Sequence, residues 1–173
     1  FSSKQPKPAK QNQYYNTLLS IFKGKHEPKE KPVTEVNKNS IDPNMSEWLP
    51  LNILVAEDNA INQKLIYRIL KKMGYEPDIV NNGLEAVLAI EKKEYNIVLM
   101  DVQMPEMDGI EATKIICNKI PAEDRPQIIA MTANVMQGDK EKCLEAGMDD
   151  YIGKPINLSE LTQVLCKSKI SVN

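Results

Sequence analysis

Tyr95-Asn96-Ile97-Val98-Leu99-Met100-Asp101-Val102-Gln103-Met104-Pro105-Glu106-Met107-Asp108-Gly109 is the stretch that decides the fold of this chain. Its first six residues are apolar apart from Asn96, and Pro105 and Gly109 close the segment. A short apolar run bounded by turn residues reads as a strand covered on both faces, which belongs in a parallel sheet. Asp101 stands where that strand ends. Ligands of open α/β sheets bind beyond the carboxyl ends of the strands, and an acid at the end of a buried strand needs a partner. Asp101 is therefore read as a chemical group.

Strand and helix signals alternate strictly around this segment. Asn52 to Ala56 is a short apolar run. Asn59 is placed to cap a helix in which Ile61, Leu65, Ile66, Ile69, Leu70 and Met73 recur at helical spacing before Gly74 ends it. Residues 76 to 80 make a weaker strand, and Asn82 and Gly83 open a second helix carrying Leu84, Val87 and Leu88. After the strand ending at Met100, the spacing predicts a helix over 110–119 with Ile110, Thr113, Ile116 and Cys117 along one side. Gln127 to Met131 reads as a fourth strand, Val135 to Ala146 as a helix ended by Gly147, and Asp150 to Gly153 as a fifth strand. Asn157 and Glu160 resemble a capping box for a last helix bearing Leu158, Leu161 and Leu165. Five βα units in series predict an α/β, doubly wound, five-stranded parallel sheet flanked by five helices.

Residues 1–50 differ in kind. They hold six of the 11 prolines and one of the seven glycines, and read as a flexible linker. Tyr14, Tyr15, Leu18, Leu19 and Phe22 suit one short helix within residues 14–22. The linker carries a net charge of +3 and the remainder −5. A net-acidic domain without a Lys/Arg cluster argues against nucleic acid as partner. The globular domain is expected over 51–170, with 171–173 as a tail. No apolar stretch is long enough to cross a bilayer and nothing at the start resembles a signal peptide, so the segment is expected in the cytoplasm, without membrane contact. The missing initial Met suggests a piece of a longer protein. Cys117, Cys143 and Cys166 show neither pairing nor metal spacing, which suits a reducing compartment. His26, beside Lys25 and Glu27, reads as a solvated side chain rather than a metal ligand or phosphorylation site.

Polar residues gather at one edge of the expected sheet. Glu57 and Asp58 end the first strand, Asp101 the third, Thr132 the fourth and Lys154 the fifth. In the order 2-1-3-4-5 the first and third strands are neighbours at the switch point, so the three carboxylates converge. Like charges in one pocket raise each other's pKa unless a cation intervenes. Oxygen-only ligands favour Mg2+ over zinc, with waters and a backbone carbonyl completing the shell. Lys154 offers a compact positive charge and Thr132 a hydroxyl, the groups needed to hold phosphoryl oxygens. Phosphoryl transfer to an aspartate needs mainly positioning and charge neutralisation.

EDNAINQ at 57–63, MDVQMPEMDG at 100–109, AMTA at 130–133 and GKP at 153–155 resemble the receiver domain of two-component response regulators. The match runs in order through nearly all of residues 51–170, and the motif forms most resemble receivers attached to hybrid histidine kinases. The strand order is itself partly borrowed from this family. The resemblance implies that Asp101 is the phosphoacceptor, taking phosphate from a phosphohistidine of a histidine kinase transmitter domain or a histidine phosphotransfer protein. It implies that Asp58 binds Mg2+ directly, Glu57 through water and Gln103 through its backbone carbonyl. Lys154 would pair with Asp101 or the phosphoryl group. Thr132 would swing toward the phosphoryl oxygen and let Tyr151 turn inward, repacking the face of the fourth helix, fifth strand and fifth helix. The Lys154-Pro155 bond is expected to be cis. Glu57 stands where many members carry Asp. A partner four-helix bundle is expected to dock on Asn59, Ile61, Asn62, Leu65, Pro155 and Ile156.

Each residue also has a plainer reading. Glu57 or Asp58 could complement the start of the first helix, Thr132 could bond its own loop, Tyr151 could be an ordinary strand aromatic, and Lys154 a solvated tip. The Gln103 side chain could tune access of water or face solvent, and Gly109 allows a backbone conformation that other residues resist. An aspartyl-intermediate phosphatase is disfavoured because Gln103 stands where a second acid would serve as acid/base. A flavodoxin-like mononucleotide binder lacks its phosphate loop after the first strand. A receiver-like module that binds without phosphorylation is disfavoured by the complete set of acids, hydroxyl and lysine. The chain contains neither a Gly-rich nucleotide lid nor an acceptor-histidine helix, so kinase activity is expected only in sequence preceding Phe1.

Overall fold

The computed structural model describes residues 41–168; the helix expected within 14–22, His26 and the tail at 171–173 lie outside them. Five parallel strands, β1 (Ile53–Ala56), β2 (Asp78–Val80), β3 (Ile97–Asp101), β4 (Gln127–Thr132) and β5 (Asp150–Gly153), form one sheet in the order β2-β1-β3-β4-β5. Between them run α1 (Ala60–Lys72), α2 (Gly83–Lys92), α3 (Gly109–Lys119) and α4 (Gln137–Ala146), and α5 (Leu158–Lys167) follows β5. The doubly wound α/β architecture is the expected one.

Strand residues alternate between two cores, as the two-residue period of a pleated strand requires. Ile53, Val55, Ile97, Leu99, Ile129 and Met131 pack with Ile66 and Leu70 of α1 and with Leu161 and Leu165 of α5. Leu54, Ala56, Val98, Met100, Ile128 and Ala130 face the other way, against Ala86 and Ile90 of α2, Ile116 of α3 and Cys143 of α4. Every residue of β1 and β3 is buried. That burial is why these strands read as unbroken apolar runs.

Side chains cap four of the five helices. Asn59 Oδ1 accepts from Ile61 and Asn62, Asn82 from Glu85, Asp108 from Glu111 and Asn157 from Ser159. The bond at Asn157 goes to Ser159, so the box with Glu160 is not formed. The helix expected from Val135 starts at Gln137, where Met136 supplies no side-chain cap. On α1 the apolar pattern overstates the buried face: Ile61 is 77% and Leu65 42% exposed, and the core side is Ile66, Leu70 and Met73. Leu84 and Leu88 of α2 also face outward, while Val87 is buried.

The domain begins earlier than residue 51. A single helical turn, Met45–Trp48, precedes β1 and buries Met45 almost completely, with Leu49 close behind. Trp48 Nε1 donates to Asp42 Oδ2 at 2.9 Å, the Ser46 amide to the Met73 carbonyl at 3.2 Å and the Tyr75 hydroxyl to the Leu49 carbonyl at 2.7 Å. Residues 41–50 are therefore part of the fold and not linker. The three cysteines are free thiols. Burial raises the pKa of each, that of Cys166 to about 11, which keeps them unreactive near neutrality.

Met45→Ala would leave a cavity beneath the turn, and a loss of about 3 kcal/mol is expected for a fully buried methionine. Urea unfolding read by Trp48 fluorescence measures it.

Candidate functional site

The carboxyl ends of β1, β3, β4 and β5 bring the polar residues together. β1 pairs with β3 from Ile53↔Ile97 to Ala56↔Met100, so Glu57 and Asp58 follow β1 beside the end of β3. One oxygen from each of Glu57, Asp58 and Asp101 lies within 4.8 Å of the others. Glu57 is fully buried, Asp101 is 5% exposed and Asp58 is open to solvent.

Lys154 reaches in from beyond β5. Its Nζ donates to Asp101 Oδ2 at 2.7 Å and lies 2.8 Å from Glu57 Oε2. The latter contact is a charge pairing rather than a directed hydrogen bond. The Lys154 amide donates to the Thr132 carbonyl at 2.8 Å, which fastens the end of β5 to β4, and the Lys154-Pro155 bond is cis. Burial, opposed by the Lys154 hydrogen bond and reinforced by the Glu57 charge, holds the Asp101 carboxyl above the ordinary carboxylate range. Burial works against the charged form of Lys154, but contacts with Asp101 and Glu57 outweigh it and raise its pKa.

The loop after Asp101 is held from several sides. The Gln103 amide donates to Asp101 Oδ1 at 3.2 Å, while the Gln103 residue as a whole is exposed. Glu106 adopts φ +66, and the Met107 amide closes a tight turn on the Pro105 carbonyl at 2.8 Å. Asn82 Nδ2 donates to Glu106 Oε2 at 3.2 Å, tying this turn to α2. Gly109 is needed for space and not for a left-handed backbone, since a Cβ there would clash with the Asp101 carbonyl oxygen. From Asp58 an open groove of about 760 Å3 runs past Gln103, Pro105 and Ile110 to Lys142.

Other expected residues fall in varied settings. Thr132 is 8% exposed; its hydroxyl donates to the Asn134 carbonyl at 3.0 Å and accepts from the Asn134 amide at 3.1 Å. Tyr151 is half-buried, with the Lys140 ammonium 4.6 Å from its ring centre. Ile61 and Leu65 are exposed, as are Asn59 and Pro155, and Ile156 packs partly against the core. A cavity of about 240 Å3 lies among Glu57, Asn62, Leu65, Ile66, Lys154, Pro155 and Ile156. Asn62 is half-buried and donates from Nδ2 to Glu57 Oε1 at 3.2 Å. Gln63, which sequence reasoning passed over, donates to the Glu57 carbonyl at 2.6 Å and to Asn81 Oδ1 at 3.0 Å. The Glu57–Lys154 pair joins two distant loops, and the two amides reach back from the first turn of α1 to Glu57, so none of these contacts leaves a periodic signal.

Residues 53–166 match the family model described as the response regulator receiver domain. The chain belongs to the response regulator receiver family. Receiver relatives sit within much longer proteins. Histidine protein kinase 1 of Candida albicans is 39% identical over 97% of this chain, which spans 7% of that protein. The signal transduction histidine-protein kinase BarA of Escherichia coli is 36% identical over 80% of the chain, which spans 14% of it. Among solved structures, the receiver domain of a Pseudomonas aeruginosa sensor histidine kinase, with magnesium coordinated in its active-site cleft, superposes with a TM-score of 0.61 at 43% identity, covering 66% of this chain and 93% of that one. A co-crystal of the Saccharomyces cerevisiae histidine phosphotransfer protein Ypd1 with the receiver domain of Ssk1 gives 0.62 at 35% identity, covering 66% and 86%. No helix among the described residues is long and apolar enough to cross a membrane.

Lys154→Ala would leave two buried carboxylates without their cation, and a loss of roughly 3 kcal/mol is expected near neutral pH. The deficit should shrink on acidification, because Asp101, already held above the ordinary carboxylate range by burial, takes up a proton and loses its unpaired charge; urea midpoints at two pH values check both the loss and its sign.

Proposed function

We propose that this receiver accepts a phosphoryl group from phosphohistidine on Asp101. The observation that carries the reading is the Lys154 ammonium 2.7 Å from Asp101 Oδ2 in a pocket that also holds Glu57 and Asp58. An Asp101 carboxylate oxygen attacks phosphorus, the phosphorus–nitrogen bond breaks, and the bonding pair leaves on the imidazole nitrogen. Lys154 then balances charge on the phosphoryl oxygens. Three oxygen donors within 4.8 Å of one another suit a hard divalent ion. Mg2+ would be held by Asp58, Asp101 and the Gln103 carbonyl, with Glu57 acting through water, and would neutralise charge on the transferring group.

The hydroxyl of Thr132, now bonded within its own loop, would turn to the phosphoryl oxygen. Tyr151, resting beneath Lys140, would follow inward and change the surface of α4, β5 and α5. The donor and acceptor partners would be a histidine kinase transmitter domain or a histidine phosphotransfer protein, the latter docking on Ile61, Leu65, Asn59, Pro155 and Ile156. The exposure of Ile61 and Leu65 beside the cavity at Lys154 supports this placement.

Incubated with Mg2+ and acetyl phosphate, the intact chain should gain the mass of one phosphate, and Asp101→Asn should abolish the gain. An unchanged gain in that variant would move the acceptor elsewhere. Ile61→Asp should slow phosphotransfer from a histidine phosphotransfer protein by about tenfold or more, as expected for losing an apolar anchor; stopped-flow or gel-based transfer rates decide it.

A further inference from the structure

We propose that Asn62 is a positioning residue that holds Glu57 as the fixed anchor of Lys154. Each oxygen of the buried Glu57 carboxylate faces a donor group. Oε1 accepts from the Asn59 amide at 3.1 Å and from Asn62 Nδ2 at 3.2 Å, which leaves Oε2 facing Lys154 Nζ at 2.8 Å. The backbone beneath is fixed as well. Gln63 Nε2 binds the Glu57 carbonyl and Asn81 Oδ1, and Glu85 Oε2 in turn accepts from the Asn81 amide at 2.8 Å and Asn81 Nδ2 at 3.1 Å. A glutamate has several rotatable bonds, and holding its carboxylate in one place costs conformational freedom that these contacts offset.

The consequence appears during transfer and rests on the reading of Asp101 as phosphoacceptor. Lys154 has two anchors, Glu57 and Asp101. When the Asp101 carboxylate turns to attack phosphorus, one anchor is given up, and Glu57 alone keeps the ammonium where the phosphoryl oxygens arrive. Asn62, which hydrogen-bonds to neither the acceptor nor the ammonium, acts through Glu57. Its side chain is half-buried, reaching Glu57 while lining the cavity beside Lys154.

The test compares Asn62→Ala and the near-isosteric Asn62→Asp, each in the wild-type chain and in a Glu57→Gln background. Phosphorylation by acetyl phosphate with Mg2+ and the NMR signal of the Lys154 ammonium are the two readouts. Each variant should lower the rate by about tenfold, the scale of one lost hydrogen bond to a charged group, yet change it by less than about twofold when Glu57 is already altered. Both should shift the Lys154 signal. Rate effects that multiply with Glu57→Gln, an unmoved Lys154 signal, or a defect seen only with a protein donor would overturn the proposal. If the wild-type chain takes up no phosphate, the phosphoacceptor reading fails, while the Lys154 signal still reports whether Asn62 acts on it.

Discussion

One ammonium set between two buried carboxylates is the constraint on which the site depends. Removing such charges from water costs several kcal/mol per ion, so the arrangement persists only where the partners meet closely. Glu57 follows β1, Asp101 ends β3 and Lys154 follows β5. Three separate strand ends must therefore arrive together. Parallel pairing supplies that alignment, and bonds at the rim complete it: the Glu57 amide to Val80, Val102 to Met131 and Lys154 to Thr132. The site is a property of the sheet's register more than of any one loop.

The two cores divide the labour. α1 and α5 cover one face with Ile66, Leu70, Leu161 and Leu165, and α2, α3 and α4 cover the other. The elements are not held equally. α1, α2, α3 and α5 begin on side-chain caps, whereas α4 has none and buries only Cys143 and Ala146. The polar sequence of α4 thus leaves it dependent on few contacts, the Lys140–Tyr151 stacking among them.

Much of the fold was legible because burial wrote it plainly. β1 and the interiors of β3 and β4 are apolar since both faces are covered, and Gly74, Asn59 and Asn82 mark helix ends by mechanisms that act locally. The strand order was not read from pattern alone; it came in part with the family likeness. Residues 41–50 escaped because Pro43 and Pro50 bracket a short polar segment whose apolar members, Met45 and Leu49, gain their meaning from Met73 and Tyr75 more than twenty residues later. Periodicity on α1 could not separate the exposed Ile61 and Leu65 from the buried Ile66 and Leu70. The acids, Thr132 and Lys154 were found through motif spacing, while Asn62's inward contact is a matter of three-dimensional approach. Gly109 was noticed for the wrong reason: crowding against Asp101, rather than φ, demands it.

The turn at Met45–Trp48 sits against the last residues of α1, at the edge of the sheet where strands begin. The reactive rim is at the other edge, where they end. Tension arriving along the chain at Ile41 would be borne first by the Trp48–Asp42 and Tyr75–Leu49 bonds and by the packing of Met45. The turn thus anchors the start of the described chain at the edge of the sheet opposite Glu57, Asp101 and Lys154.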